Sequence, residues 1–136
     1  MVILGIDPAI RTTGYGVIRS EHSGSFEVID CGVIENKARA PHTECLRRLT
    51  GGIRELVCAF HPDSASIEAP FVGRNASTAI ILGMARGAIL AALAEAEVPV
   101  YAYSPSTAKR SAVGSGGASK EQVAMMVAAE LGIGIE

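Results

Sequence analysis

At 136 residues, 49% of them apolar, the chain is long enough to fill one core and too short for two. A formal net charge of −2 excludes a global pull on nucleic acid, so any such contact has to be local. The N-terminus lacks a charged leader and the apolar runs are broken by Gly, Arg or Glu short of a membrane span, which makes the protein one with no membrane partner and the cytoplasm its expected compartment.

Val2, Ile3, Leu4 and Ile6 form a near-continuous apolar run, the pattern of a strand covered on both faces, and Asp7 stands where it ends. A carboxylate there either caps the turn begun by Pro8 or is held by a cation, because an unpaired buried charge is costly; this segment alone leaves the two readings level. Residues 14 to 19 read as a second strand and 25 to 35 as a third, with a hairpin connection over 20 to 24. Pro41 and Thr43 open a helix whose Leu46, Leu49, Ile53, Leu56, Val57 and Phe60 recur at three and four, which buries one face against a sheet. Pro62 and Asp63 punctuate, and residues 64 to 68 make a short strand that ends in a second acid, Glu68.

A long helix starts at Asn75 or Ser77 and runs through Ala96, with Ile80, Ile81, Met84, Ala88, Ile89 and Leu93 turned inward. Gly83 and Gly87 on it lower helix propensity by roughly 1 kcal/mol each and invite the close approach of another backbone. Residues 98 to 103 are the fifth strand. Ser104 and Pro105 then begin a helix ending at Gly114, and Ser119 with Gln122 forms the capping box of a last helix that carries Val123, Met126, Val127 and Leu131 inward. The order is βββαβαβαα, one α/β domain over 1–136 with a five-stranded mixed sheet flanked by helices. Cys31, Cys45 and Cys58 lack any CxxC spacing and read as buried reduced thiols; His22, His42 and His61 are scattered and read as surface or turn residues.

The helix between the third and fourth strands returns the chain so that strand four can lie parallel beside strand one. Asp7 and Glu68 then leave the same edge, where α/β sheets usually bind ligands. Two carboxylates converging there call for a cation, and oxygen donors without Cys or His nearby in sequence favour Mg²⁺ or Mn²⁺. The competing reading makes Glu68 a cap of the turn before Pro70. The middle of the chain is mildly basic, with Arg74, Arg86, Lys109, Arg110 and Lys120 against only Glu95 and Glu97 between positions 71 and 120.

Gly5-Ile6-Asp7-Pro8 followed by Thr13-Gly14-Tyr15-Gly16-Val17-Ile18 resembles the first motif of the RuvC family of Holliday-junction resolvases, which have a ribonuclease-H-like fold. Further segments agree in order: Pro62-Asp63 leading to Ile67-Glu68, then Phe71, Asn75, Ser77, the run from Leu82 to Gly87, Thr107-Ala108-Lys109, Val113-Gly114 and Lys120-Glu121-Gln122-Val123. The resemblance spans essentially the whole chain.

It implies a homodimeric, Mg²⁺-dependent endodeoxyribonuclease that binds four-way DNA junctions in recombination and repair, nicks two opposing strands, and works beside a branch-migration helicase complex. Asp7 and Glu68 would be catalytic metal ligands. Phe71, Arg74, Asn75, Lys109 and Lys120 would contact DNA: lysine supplies a point charge for phosphate, and an aromatic ring can stack on a base exposed at the branch. The competing readings are a core Phe71, solvated helix lysines, and for Arg86 a packed helix arginine in place of a backbone contact. Ala9 stands where the family usually has Gly, so the turn after Asp7 must form without positive φ or carry slight strain.

The resemblance also implies two further aspartates in a last helix, which the printed residues do not reach; neither Glu130 nor Glu136 sits in a matching motif. The nuclease domain is therefore expected to lack its C-terminal helix here, to fold and bind a junction, and to cleave poorly or not at all. The alternative is a junction-binding module with an inactive site. A sugar-kinase or actin-like ATPase shares the opening strand and acid but needs a second such domain. The stretch from Gly114 to Lys120 fails as a nucleotide loop because Ser119 stands where Gly is required.

Overall fold

The computed structural model describes residues 1–20, 26–69 and 75–103. Over these, β1 (Val2–Asp7), β2 (Thr12–Ser20), β3 (Phe26–Glu35), α1 (His42–Phe60), β4 (Ser64–Glu68), α2 (Ala76–Glu95) and β5 (Val100–Tyr103) follow in chain order. The five strands form one sheet in the order β3-β2-β1-β4-β5. β1, β2 and β3 make an antiparallel meander, whereas β4 lies parallel to β1 and β5 parallel to β4. The expected mixed sheet and its parallel return through α1 are present. The two helices expected beyond residue 103 lie outside the described residues.

Strand alternation decides what each face holds. Leu4 and Ile6 of β1, Val17 of β2, and Ala65 and Ile67 of β4 share a cluster with Ile53 and Leu56 of α1 and Ile89, Ala92 and Leu93 of α2. Both described helices therefore cover one face. On the other, Ile3 and Ile18 pack with Val28. Two glycines sit against side chains of the sheet: a Cβ on Gly32 would stand 2.8 Å from the Tyr15 hydroxyl, and one on Gly52 2.7 Å from Ile34 Cδ1, so a larger residue at either position requires that side chain to shift.

Register between β1 and β4 is pinned at the far end by Asp63. Its carboxylate accepts from Val2 N at 2.7 Å, and its own N–H donates to the Val2 carbonyl at 2.8 Å. From there Ile3 pairs with Ser64, Leu4 with Ala65, Gly5 with Ser66 and Ile6 with Ile67. A one-residue slip would turn the apolar side chains of β4 away from the core, so the hydrophobic pattern and the Asp63 clamp enforce the same alignment.

α2 corrects the sequence reading. Its buried residues are Ala85, Ile89, Ala92 and Leu93, while Ile80 is 65% exposed. Nothing among the described residues lies within 4 Å of where a Cβ would stand on Gly83 or Gly87, so the expected close approach does not occur within the described chain. The helix is apolar nearly all round, broken only by Arg86 before Glu95, and periodicity cannot select a face when every face qualifies. By length and composition it could cross a membrane, contrary to the reading that no run is long enough; one stripe of it nonetheless packs into the sheet core.

β5 begins at Val100, two residues later than its sequence pattern suggests. Glu97 takes a left-handed turn (φ 58°), with its N–H on the Ala94 carbonyl and the Val98 N–H on the Leu93 carbonyl, a helix stop usually made by glycine. Of the cysteines only Cys45 is buried; Cys31 is half-buried and Cys58 is exposed on α1, because the spacing that buries Leu49, Ile53 and Leu56 turns position 58 outward.

Candidate active site

β1 and β4 stop at Asp7 and Glu68, each one residue beyond the last register pair, Ile6 with Ile67. Adjacent strands lie about 4.8 Å apart, and paired residues of parallel neighbours point to the same face. Alternation sets both acids on the face opposite the α1–α2 layer, above Gly5 and Ser66, and both are half-buried. The sheet so brings together the two residues that the sequence singled out.

The strand ends are held differently. After Asp7 the chain turns through Pro8, Ala9, Ile10 and Arg11 before β2, and three side chains tie that turn down. Thr13 Oγ1 accepts from Ala9 N at 3.2 Å and donates to the Ala9 carbonyl. Asn36 donates its side-chain amide to the Ile10 carbonyl at 2.8 Å and its backbone N–H to the Arg11 carbonyl at 2.8 Å. Arg11 Nη1 reaches the carbonyls of Lys37 and Ala40 and the Cys45 sulfur at 2.8, 3.0 and 3.1 Å, joining the turn to the start of α1. Among the described residues the non-glycine positions with positive φ are His61 and Glu97, and Ala9 is not one of them, so the turn forms without the glycine usual at that position. On the other strand, Arg86 Nε of α2 donates to the Glu68 backbone carbonyl at 3.4 Å. Half-buried there, Arg86 follows the packed-arginine reading.

Two carboxylates from neighbouring strand ends suit a hard divalent cation with oxygen ligands. Among the described residues no group of three or more His, Cys, Asp or Glu side chains forms a cage, so the pair alone would supply only part of a coordination sphere. That fits Mg²⁺, which keeps water and takes one or two carboxylates together with phosphate oxygens. Below the acids, Ser64 and Ser66 are buried and their hydroxyls have no hydrogen-bond partner among the described residues.

Of the remaining candidates, Asn75 caps α2: its Oδ1 accepts from Ser77 N at 2.9 Å, Thr78 N at 3.4 Å and Ser77 Oγ at 2.8 Å. Phe71, Arg74, Lys109 and Lys120 lie outside the described residues.

A family model described as crossover junction endodeoxyribonuclease RuvC matches residues 3–135. The chain belongs to the RuvC family. A RuvC of Chlorobium phaeovibrioides is 41% identical over 133 residues, 98% of this chain and 70% of its own length. One from Solidesulfovibrio magneticus is 45% identical over 127 residues, 93% of this chain and 75% of the other. A structure of T. thermophilus RuvC in complex with Holliday junction substrate superposes with a TM-score of 0.78 at 36% identity, covering 98% of this chain and 81% of that one. The ribonuclease-H-like architecture expected for a RuvC family member accordingly holds.

Thr13 stands within the family motif with no task evident from sequence, and Arg11 and Asn36 carry no sequence signal of their part in the turn. A hydroxyl directly across a turn that starts with an acid is the signal that points to Thr13.

Proposed function

We propose that this RuvC family member resolves four-way DNA junctions by hydrolysing phosphodiester bonds, with Asp7 and Glu68 as metal ligands. The observation that carries the reading is the parallel register of Ile6 with Ile67, which ends two strands in acids side by side on one sheet edge. Mg²⁺, with Mn²⁺ as its substitute, would activate a water and stabilise the leaving oxygen. The chain's own part is to fix two carboxylates on a rigid sheet, since such catalysis depends on geometry as much as on charge. The two acids are half of the donor set that the family resemblance implies.

For DNA, Phe71, Arg74, Asn75, Lys109 and Lys120 are the proposed contacts, and the enzyme is read as cytoplasmic and working beside a branch-migration helicase. The outer face of α2 is the proposed homodimer contact. Ile80 is 65% exposed on it, and among the described residues nothing stands within 4 Å of a Cβ on Gly83 or Gly87, where a second helix could approach. Ile80→Arg is expected to shift the protein from dimer to monomer in analytical ultracentrifugation with little change in monomer stability, as befits an exposed position.

The deciding experiment is a Mg²⁺-dependent nicking assay on a synthetic four-way junction, with the 136-residue chain and a longer version carrying the additional acids. Cleavage lost in Asp7→Asn and in Glu68→Gln, with junction binding retained, is the expected result. Equal nicking by the Asn variant would overturn the reading. Lys109→Ala and Lys120→Ala should each weaken junction binding and flatten its salt dependence.

A further inference from the structure

Ala9 lies two residues beyond Asp7, and both of its backbone polar groups end on one side chain. Thr13 Oγ1 gives its proton to the Ala9 carbonyl and receives the Ala9 N–H, so a single hydroxyl closes the turn from both directions. Thr13 is fully buried, and so is Pro8 between Asp7 and Ala9. Water therefore has no ready access to replace the hydroxyl, and removing it would leave two backbone groups seeking new partners.

The position of Thr13 explains its reach. Gly14 pairs with Asp7 in the β1–β2 ladder, so Thr13 sits one step past the last pair, alternating with Tyr15 and Val17 on the face toward the helices. From that covered side it holds the turn, while the acid leaves the opposite face. Arg11 and Asn36 tie the later part of the turn to α1 and β3. Of these three side chains, Thr13 acts on the peptide units nearest the carboxylate. Aspartate has a short stem, so a displaced turn displaces its oxygens by nearly as much, and functional constellations tolerate only about 0.5 Å.

We infer that Thr13 is a positioning residue for the carboxylate pair: its hydroxyl fixes the turn after β1 and thereby the point from which Asp7 meets a divalent cation alongside Glu68. This rests on the reading of Asp7 and Glu68 as metal ligands. A merely stabilising Thr13 would lower the melting temperature without altering the affinity of the folded protein for metal.

The test is a Mg²⁺ titration of the ¹⁵N-labelled chain, followed through the amide shifts of residues 5–7 and 66–68, with a melting curve for each variant. Thr13→Val is expected to raise the Mg²⁺ midpoint about tenfold, the scale seen when a group supporting a metal ligand is removed. Thr13→Ser, which keeps the hydroxyl, is expected to restore the parental midpoint. An unchanged midpoint in the Val variant overturns the inference, as does a Ser variant that shifts as far as Val. If Thr13→Val does not fold, Thr13→Cys is read instead: its thiol is a weaker hydrogen-bonding group, so a raised midpoint supports the inference and a parental one overturns it. Asp7→Asn in the same titration separates the two levels. A parental Mg²⁺ response there removes the ligand reading and the inference with it, whereas a silent Asp7→Asn beside an unchanged Thr13→Val removes only the inference.

Discussion

β1 and β4 carry opposite chemistry on their two faces. Toward the helices, Leu4 beside Ala65 and Ile6 beside Ile67 are all essentially buried and belong to the main core. On the other side the same strands present Ile3 beside Ser64, Gly5 beside Ser66, and finally Asp7 and Glu68, a gradient from apolar to acidic along about three steps of the sheet. The comparison teaches that the main core rests on one set of alternate residues, while the other set runs from a smaller buried cluster around Ile3 to the two acids at the strand ends. Changes in the two sets should then separate stability from activity.

The largest expected effect is on chemistry: in the longer version carrying the additional acids, Asp7→Asn or Glu68→Gln should reduce junction nicking to background while the thermal transition stays near the parent's, because neither acid faces the core. A large loss of stability in either variant would break the proposed division of labour. Next comes Leu4→Ala, on the helix-facing side, which should cost about 3 kcal/mol in urea unfolding through lost burial and a residual cavity. Ser66→Ala, at the same depth on the other face, should be neutral or slightly stabilising, since it removes a buried hydroxyl that has no partner among the described residues. If Ser66→Ala cost as much as Leu4→Ala, the Ser66 hydroxyl would be contributing to stability and the separation of the two faces would fail.

A smaller loss than that of Leu4→Ala concerns Tyr15. Its hydroxyl donates to Asp30 Oδ2 at 3.1 Å, and burial first, then this hydrogen bond and the Asp30 charge, push the phenol above its ordinary range. A phenol that holds its proton more firmly when folded contributes fully below its unfolded pKa of about 10, and that contribution is lost as pH rises through the higher folded value. Tyr15→Phe should be about 1 kcal/mol less stable near neutral pH, and the gap should narrow above about pH 10 when urea midpoints are compared. A gap independent of pH would mean that folding does not raise the phenol.

How legible each part was depended on how local its cause is. The β4 bounds are those its pattern predicts, and Asn75 was one of two predicted starts for α2, because an alternating strand and a side-chain cap are read from neighbours in sequence. Ile80 misled because α2 is apolar around its whole circumference, so its inward stripe is set by where α1 and the sheet stand. Asp7 and Glu68 were legible as acids ending apolar strands, but their pairing needs the register that Asp63 clamps from the far end.

By itself, then, the sequence determined which residues carry charge at strand ends, which strands are fully covered, and which family the motifs resemble, since each follows from residue type and order. Tertiary structure alone decided the register that sets Asp7 and Glu68 on one face of the edge expected for both, that Arg86 packs against the Glu68 backbone, and that Thr13 closes the turn behind Asp7. These contacts join residues far apart in the chain or across a turn, and their geometry exists only once the sheet has fixed its register.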